Sequence, residues 1–269
     1  MRRSRFVAIV LLVLLGGCGG MFAWRWEQRG PGRASITSAI GRYRASSTLA
    51  PAAHALEPPP GVYLYTGAGS EKLSFLSTSQ GQGPTEPGTV LLQPNGCWQF
   101  RLDFNSFHSQ TWTRCSTNGT LRESGGTTTQ RFDFVTFKMG EHSTVVCDPP
   151  FVLVAPSAQP GTSAPVRCTG RSETTKTTFT QTGTATFVGR ETVPVGGRTV
   201  PALHTREQLR LTGGQTGGLT VDLWFAASNG LPLKESHRIR VVSPAPPPLG
   251  HVTYSEQGAW TLTSTTPRT

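Results

Sequence analysis

The segment LHTREQLRLTGGQTGGLTVDLWF, residues 203–225, decides the fold class. In its first nine residues, apolar or small side chains alternate with polar ones, apart from Glu207 on the apolar face. This alternation is typical of a half-buried β-strand. The glycine-rich run 213–218 then predicts a hairpin loop, and the alternation returns from Leu219 to Phe225. The segment therefore predicts two antiparallel strands.

The same pattern extends outward from this hairpin. Asn95-Gly96 is a strong turn signal, and apolar residues alternate with polar ones from Trp98 to Phe104 after it. Further strands are predicted at residues 62–65, 73–76, 107–114, 128–138, 174–188, 231–242 and 251–262. Asp148–Pro150 and residues 155–165 read as a proline-rich connection. Short turns between consecutive strands predict an all-β fold, a large curved antiparallel sheet in the form of a half-barrel or open barrel.

The N-terminus predicts a membrane anchor. A basic start at residues 1–5 precedes the apolar run Phe6–Leu15, which has the length of a signal-peptide core. Residues 15–18 resemble a lipobox, in which Cys18 would be acylated. Alternatively, Phe6–Trp24 contains no charged residue and is long enough for an uncleaved transmembrane helix, which we favour because the chain stays apolar beyond Cys18. Both alternatives place the rest of the chain outside the cytoplasm, in the cell envelope.

Three regions follow from these features. Residues 1–26 are predicted to be the anchor and residues 27–60 a proline-rich linker, with a short helical turn over Ile36–Tyr43. Residues 61–269 are predicted to form a single extracytoplasmic β-rich domain.

The chain is basic, with a formal net charge of +10. A basic domain tethered to a membrane favours acidic partners such as envelope lipids or wall polymers, or a protein partner. The arginines and lysines are scattered, and the sequence shows no recognition helix or RNA-binding motif. We therefore expect no nucleic-acid partner.

Four cysteines beyond Cys18 predict two disulfides, because an even number is typical of exported proteins. Of the three pairings that four cysteines allow, we favour Cys97–Cys115, which would join neighbouring strands, and Cys147–Cys168, which would close the proline-rich connection. A zinc site is disfavoured because the chain has no CxxC pair.

Sequence motifs for catalysis are missing: there is no GxSxG, HExxH, Walker or SxxK pattern. We therefore predict no enzyme, no catalytic residue, no metal site and no cofactor. Glu207, Glu235 and His237 nevertheless fall on the apolar faces of their strands, where an unpaired titratable group is costly. They are the candidate polar residues of a ligand-binding face, or else they pair with arginines or lie on a partly exposed face.

Six short segments carry a family resemblance: Gly61–Tyr65, Gly96–Trp98, Trp112–Cys115, Cys147–Pro150, Asp222–Phe225 and Gly230–Leu233. Through them the sequence resembles an uncharacterised family of actinobacterial membrane-anchored extracytoplasmic proteins. The Trp-bearing strand and GLPL turn at 222–233 also resemble a hairpin of LolA/LppX-type lipoproteins, which implies a curved half-barrel that shields an acyl chain or lipid. Those carriers have helices on the concave face, and no such helix is predicted here.

Three functions are considered, and a hydrolase assembled from dispersed residues ranks last because the sequence shows no catalytic motif. The preferred hypothesis is a structural or interaction domain of the cell envelope, which predicts a filled core and a continuous arginine patch. The alternative is a LolA/LppX-like binding module for a lipid or other hydrophobic ligand, which predicts an apolar cavity lined by strands such as Leu219–Phe225.

Overall fold

The computed structural model describes residues 28–46, 55–134, 138–245 and 250–269. The predicted anchor at residues 1–26, including Cys18, lies outside the described residues. In the part of the chain that is described, no helix combines the length and the hydropathy needed to cross a membrane. The boundaries of the three predicted regions stay a prediction.

Strands dominate the described residues, with one α-helix and one 3-10 turn. The helix α1 spans Ile36–Ser46 and the 3-10 turn spans Pro94–Gly96. The strands are β1 (Gln28–Arg29), β2 (Gly61–Leu73), β3 (Gln80–Gln82), β4 (Thr85–Gln93), β5 (Cys97–Asp103), β6 (His108–Thr117), β7 (Thr120–Phe134), β8 (Lys138–Val154), β9 (Ser163–Ser172), β10 (Thr178–Val195), β11 (Arg198–Gly213), β12 (Thr216–Ala226), β13 (Pro232–Pro244) and β14 (His251–Leu262).

The sheet closes into a barrel. Strands β2 and β4 to β14 follow one another in chain order, each antiparallel to its neighbour, while β1 and β3 pair outside this ring. The last strand, β14, also pairs with β2, from Leu262 opposite Tyr65 to Tyr254 opposite Leu73. The all-β antiparallel prediction is confirmed. The expected half-barrel or open barrel is wrong, because pairing of β2 with β14 leaves this twelve-stranded ring without a free edge.

The predicted proline-rich connection at Asp148–Pro150 is also wrong, since these residues lie inside β8. The pairing of β8 with β7 shifts register there, between Phe151 opposite Glu123 and Val146 opposite Gly125. A bulge of this kind accommodates prolines because they are not required to donate ladder hydrogen bonds.

Helix α1 lies within the predicted linker, where the sequence predicts a helical turn. Its Ala39 and Tyr43 are buried against Val62 on the outer face of β2. Arg42 of the helix forms an ion pair with Asp103 of β5. The helix therefore rests on the outer wall of the barrel.

The interior of the barrel is packed unevenly. At one end, which we call the core end, Tyr65, Phe100 and Trp260 make mutual aromatic contacts within a large apolar cluster. At the other end, the cavity end, a smaller apolar cluster contains Leu73 and Phe132. Buried polar side chains and a cavity occupy the space that these clusters leave.

Two disulfides fix neighbouring strands to each other, as predicted. Cys97 and Cys115 are directly opposed on β5 and β6, and Cys147 and Cys168 are directly opposed on β8 and β9. Disulfides of this kind persist in oxidising compartments, which indicates an extracytoplasmic protein.

Candidate functional site

A cavity of about 320 Å³ lies inside the barrel. Barrels of about eight strands are just wide enough for side chains to fill, so a ring of twelve strands has a wider interior. Most of the cavity wall is apolar. Strands β7, β8 and β13 supply half of the lining residues, and β11 and β12 supply three each. Representative lining residues are Trp112, Phe179, Leu209, Leu219, Val221 and Leu223.

The structure brings the three predicted polar residues together on this wall. Glu207 lies opposite Val221, and Val221 lies opposite His237, so that the three side chains form one row across β11, β12 and β13. Glu235 lies two residues before His237 on the same inward face of β13, and its Oε1 lies 2.9 Å from Nδ1 of His237. Glu207, Glu235 and His237 all line the cavity and are buried. Their binding of a ligand stays a prediction.

Sequence reasoning missed a second polar group beside the first. Glu71, His108 and Glu256 are buried, and a carboxylate oxygen of each glutamate and an imidazole nitrogen of the histidine lie within 4.8 Å of one another. Nδ1 of His108 is 3.0 Å from Oε2 of Glu71 and 3.7 Å from Oε1 of Glu256. Nε2 of His237 lies 3.3 Å from the same Glu256 oxygen. Glu256 thus connects this group, which we call the Glu71/His108/Glu256 cluster, to the predicted residues.

The alternation that identifies Glu207 also applies to two members of this cluster. Glu71 shares its inward face with Tyr65 and Leu73 on β2, and Glu256 shares its face with Trp260 on β14. His108 is the first residue of β6 and follows a loop, so too little of the strand precedes it to show a pattern.

Glycines on β2 make room for the polar side chains. A Cβ at Gly67 would lie 2.4 Å from the carboxyl of Glu86, and a Cβ at Gly69 would lie 2.2 Å from Oε1 of Gln82. Gln82 in turn donates a hydrogen bond to Glu256. The missing side chains at these two positions are therefore the reason that Glu86 and Gln82 fit inside the barrel.

Burial keeps part of the inner wall protonated. Burial raises the pKa of Glu86 to about 8, and the nearby charge of Glu235 adds to this rise. Burial also raises the pKa of Glu207 well above its usual range, with a further contribution from Glu123. Protonated carboxyl groups donate hydrogen bonds, which an ionised carboxylate cannot do.

The neighbouring groups carry charge. Burial lowers the pKa of His237, but the carboxylates of Glu235 and Glu256 outweigh this effect and bring it to about 10. Burial raises the pKa of Glu256, but His108 and His237 outweigh this effect and bring it to about 2. The cavity wall therefore combines hydrogen-bond donors, negative charge and positive charge next to apolar surface.

Arg114 forms a separate buried charge towards the core end. Its Nε lies 3.0 Å from Oε2 of Glu123. Its guanidinium carbon lies 5.0–5.6 Å from the ring centres of Trp98, Trp112 and Phe225. Its two terminal nitrogens have no hydrogen-bond partner among the described residues. This arginine balances Glu123, which lines the cavity.

Comparison with known proteins gives little further information. No family model matches the chain, and no curated protein matches it. A structural match is the crystal structure of the hypothetical lipoprotein YmcC from Escherichia coli K12, at 12% sequence identity and a TM-score of 0.26. The match covers 84% of this chain and 98% of that one. A TM-score this low does not define a shared fold, so the match carries no functional argument.

Proposed function

We propose that this protein is an extracytoplasmic binding module that holds an amphiphilic small molecule in the barrel cavity. The observation that carries the proposal is the cavity itself, with apolar walls and buried polar side chains at one place on them. The sequence alone favours an interaction domain over a binding module, and the cavity reverses that order. Attachment through residues 1–26 would keep the module at the membrane.

The apolar wall supports a ligand with a hydrophobic part. The cavity volume of about 320 Å³ lies in the range of small-molecule sites, which are mostly apolar with a few placed polar groups. Leu219, Val221 and Leu223 line it from one strand, and Leu209 and Leu211 line it from the next. An alkyl chain or ring system would remove this surface from water.

The polar residues support a head group that both donates and accepts hydrogen bonds. Oε1 of Glu207 and Oε2 of Glu235 have no hydrogen-bond partner among the described residues, although both are buried. Buried polar atoms without a partner are costly, and a ligand group could satisfy them. We therefore place the polar end of the ligand at Glu207 and Glu235.

The test uses the full chain, purified in mild detergent and then exchanged into a detergent-free buffer. The fluorescent probe N-phenyl-1-naphthylamine reports entry into apolar cavities, and native mass spectrometry reports any co-purifying molecule. Saturable binding of one probe per chain is the expected result. The absence of saturable binding, together with an apo mass, would refute the proposal.

A matched pair of variants locates the binding. Val221→Trp places an indole in the cavity between Glu207 and His237, and should abolish probe binding. Thr220→Trp adds the same group to the outer face of the same strand and should leave probe binding unchanged. Equal binding by both variants would show that the probe lies elsewhere.

A second candidate function is contact with an anionic surface, and a row of basic residues on the outer wall favours it. Arg167, Arg210 and Arg240 face outward on β9, β11 and β13 and are exposed. Thr182 and Gly218 lie opposite them on the strands between, and Ser255 continues the row to Lys72. None of the four basic residues forms an ion pair with another described residue.

Strands are about 4.8 Å apart, so this row places a positive charge about every 10 Å across seven strands. We expect the protein to sediment with vesicles that contain anionic lipid, and to be released by high salt. Arg210→Gln with Arg240→Gln should weaken this binding, whereas Arg198→Gln at the far end of β11 should not. Equal sedimentation with neutral vesicles would contradict this second function.

A further inference from the structure

The Glu71/His108/Glu256 cluster has the composition of a metal site. It offers one imidazole nitrogen and two carboxylate oxygens, all within 4.8 Å of one another. Ligands that lie about 2.0–2.2 Å from one ion are separated from each other by roughly 3.0–3.6 Å. The distances from Nδ1 of His108 to the two carboxylates, 3.0 and 3.7 Å, are close to this range.

The carboxylates of the cluster are balanced by histidines alone among the described residues. Among the described residues, no lysine or arginine forms an ion pair with Glu71, Glu235 or Glu256, and histidines are their only ion-pair partners. The side chains of Glu71 and Glu256 are 0% and 4% exposed. Buried carboxylates are normally paired with a cation or bound to a metal. A divalent ion would neutralise both carboxylates in place of the histidine charges.

Two histidine nitrogens, one in the cluster and one beside it, have no hydrogen-bond partner among the described residues. Nδ1 of His108 and Nε2 of His237 are buried, and neither forms a hydrogen bond of acceptable geometry among the described residues. Both nevertheless lie within 4 Å of Oε1 of Glu256. Their side chains are 1% and 3% exposed, so water does not reach them readily. An ion placed between them and the carboxylates would displace any proton that these nitrogens carry and bind to them.

A second layer of polar groups orients the carboxylates. Gln80 donates a hydrogen bond of 3.1 Å to Oε1 of Glu71, and Gln130 donates one to Oε2. The hydroxyl of Tyr254 lies 2.7 Å from Oε2 of Glu256 and 3.1 Å from Oε2 of Glu71. Such outer partners hold metal ligands in position and strengthen binding.

We propose that Glu71, His108 and Glu256 bind one divalent transition-metal ion inside the barrel, with His237 as the candidate fourth ligand. A mixed set of imidazole and carboxylate donors fits Zn²⁺, and also Mn²⁺ or Fe²⁺, better than Ca²⁺ or Mg²⁺, which prefer oxygen ligands alone. Glu256, Tyr254 and His237 line the cavity, so the proposed site adjoins it. This site does not depend on the amphiphilic ligand proposed above.

The test uses the full chain in mild detergent, stripped of metal with a chelator. Isothermal titration calorimetry with Zn²⁺ measures stoichiometry and affinity, and Co²⁺ gives an absorption spectrum that reports nitrogen and oxygen ligands. We expect one Zn²⁺ per chain and a higher melting temperature when it is bound. Ca²⁺ and Mg²⁺ should produce neither effect at the same concentration.

Variants separate this site from surface binding. His108→Gln and Glu256→Gln keep the approximate size of the side chain and should each weaken Zn²⁺ binding at least about 100-fold. His251→Gln, at an exposed histidine, should leave the affinity unchanged. Circular dichroism checks that each variant folds.

Two results would overturn the proposal. The first is wild-type protein that fails to bind one Zn²⁺ per chain, a result that does not depend on whether the variants fold. The second is unchanged Zn²⁺ binding by folded His108→Gln and Glu256→Gln, because the ion would then lie outside the cluster.

Discussion

The substitution Glu86→Gln tests whether the barrel buries a protonated carboxyl. Glu86 is 1% exposed, and burial raises its pKa from 4.5 to about 8. Between these values the folded protein keeps a proton that the unfolded chain releases. Stability from this group is therefore complete below pH 4.5 and is lost as the pH rises towards 8.

The size of the effect follows from the shift. Each pKa unit corresponds to about 1.4 kcal/mol, so the full rise corresponds to about 5 kcal/mol. Part of this stability is already lost at pH 5, so we expect a loss of about 2–4 kcal/mol between pH 5 and pH 9. Glutamine has nearly the shape of the protonated acid and cannot ionise. The Glu86→Gln variant should therefore lack this loss, so that its stability falls less than that of the wild type between pH 5 and pH 9.

Urea unfolding with intact disulfides measures the difference at several pH values, with a chelator present to remove metal ions. Glu173→Gln is the control, because Glu173 is an exposed residue whose ion pairs lower its pKa. Parallel stability curves for wild type and Glu86→Gln from pH 5 to pH 9 would refute the reasoning. Such curves would mean that Glu86 is ionised throughout that interval, as a carboxyl group in contact with water would be.

Two further substitutions test the packing of the barrel. Glu123→Ala should lower the free energy of unfolding by about 3–5 kcal/mol because it leaves Arg114 charged and unpaired in the core. In urea unfolding, the double variant Arg114→Met with Glu123→Leu should recover most of this loss. A double variant as unstable as Glu123→Ala would contradict this account. Replacing Cys147 and Cys168 together by alanine should cost about 2–4 kcal/mol and lower the melting temperature in calorimetry, since the bridge closes a loop between residues 21 positions apart. An unchanged melting temperature would mean that the strand pairing alone holds β8 to β9.

Local sequence patterns predicted most of the strands, their inward faces and the favoured disulfide pairing. Alternation along residues 203–225 depends only on the two-residue period of a strand, which is a local property of the chain. Cys97 and Cys115 lie on consecutive strands, so the hairpin register alone brings them together. For the same reason Glu207, Glu235 and His237 were identifiable as inward-facing residues.

Closure of the sheet and the second polar cluster became visible only in three dimensions. Closure depends on how strand number, tilt and stagger combine around the whole ring, and no single hairpin contains that information. Glu71 lies on β2 and Glu256 on β14, at opposite ends of the barrel sequence, and they meet only because these two strands pair. His108 joins them from β6 across the interior. The cluster is therefore a product of closure, and the local pattern of no single strand predicts it.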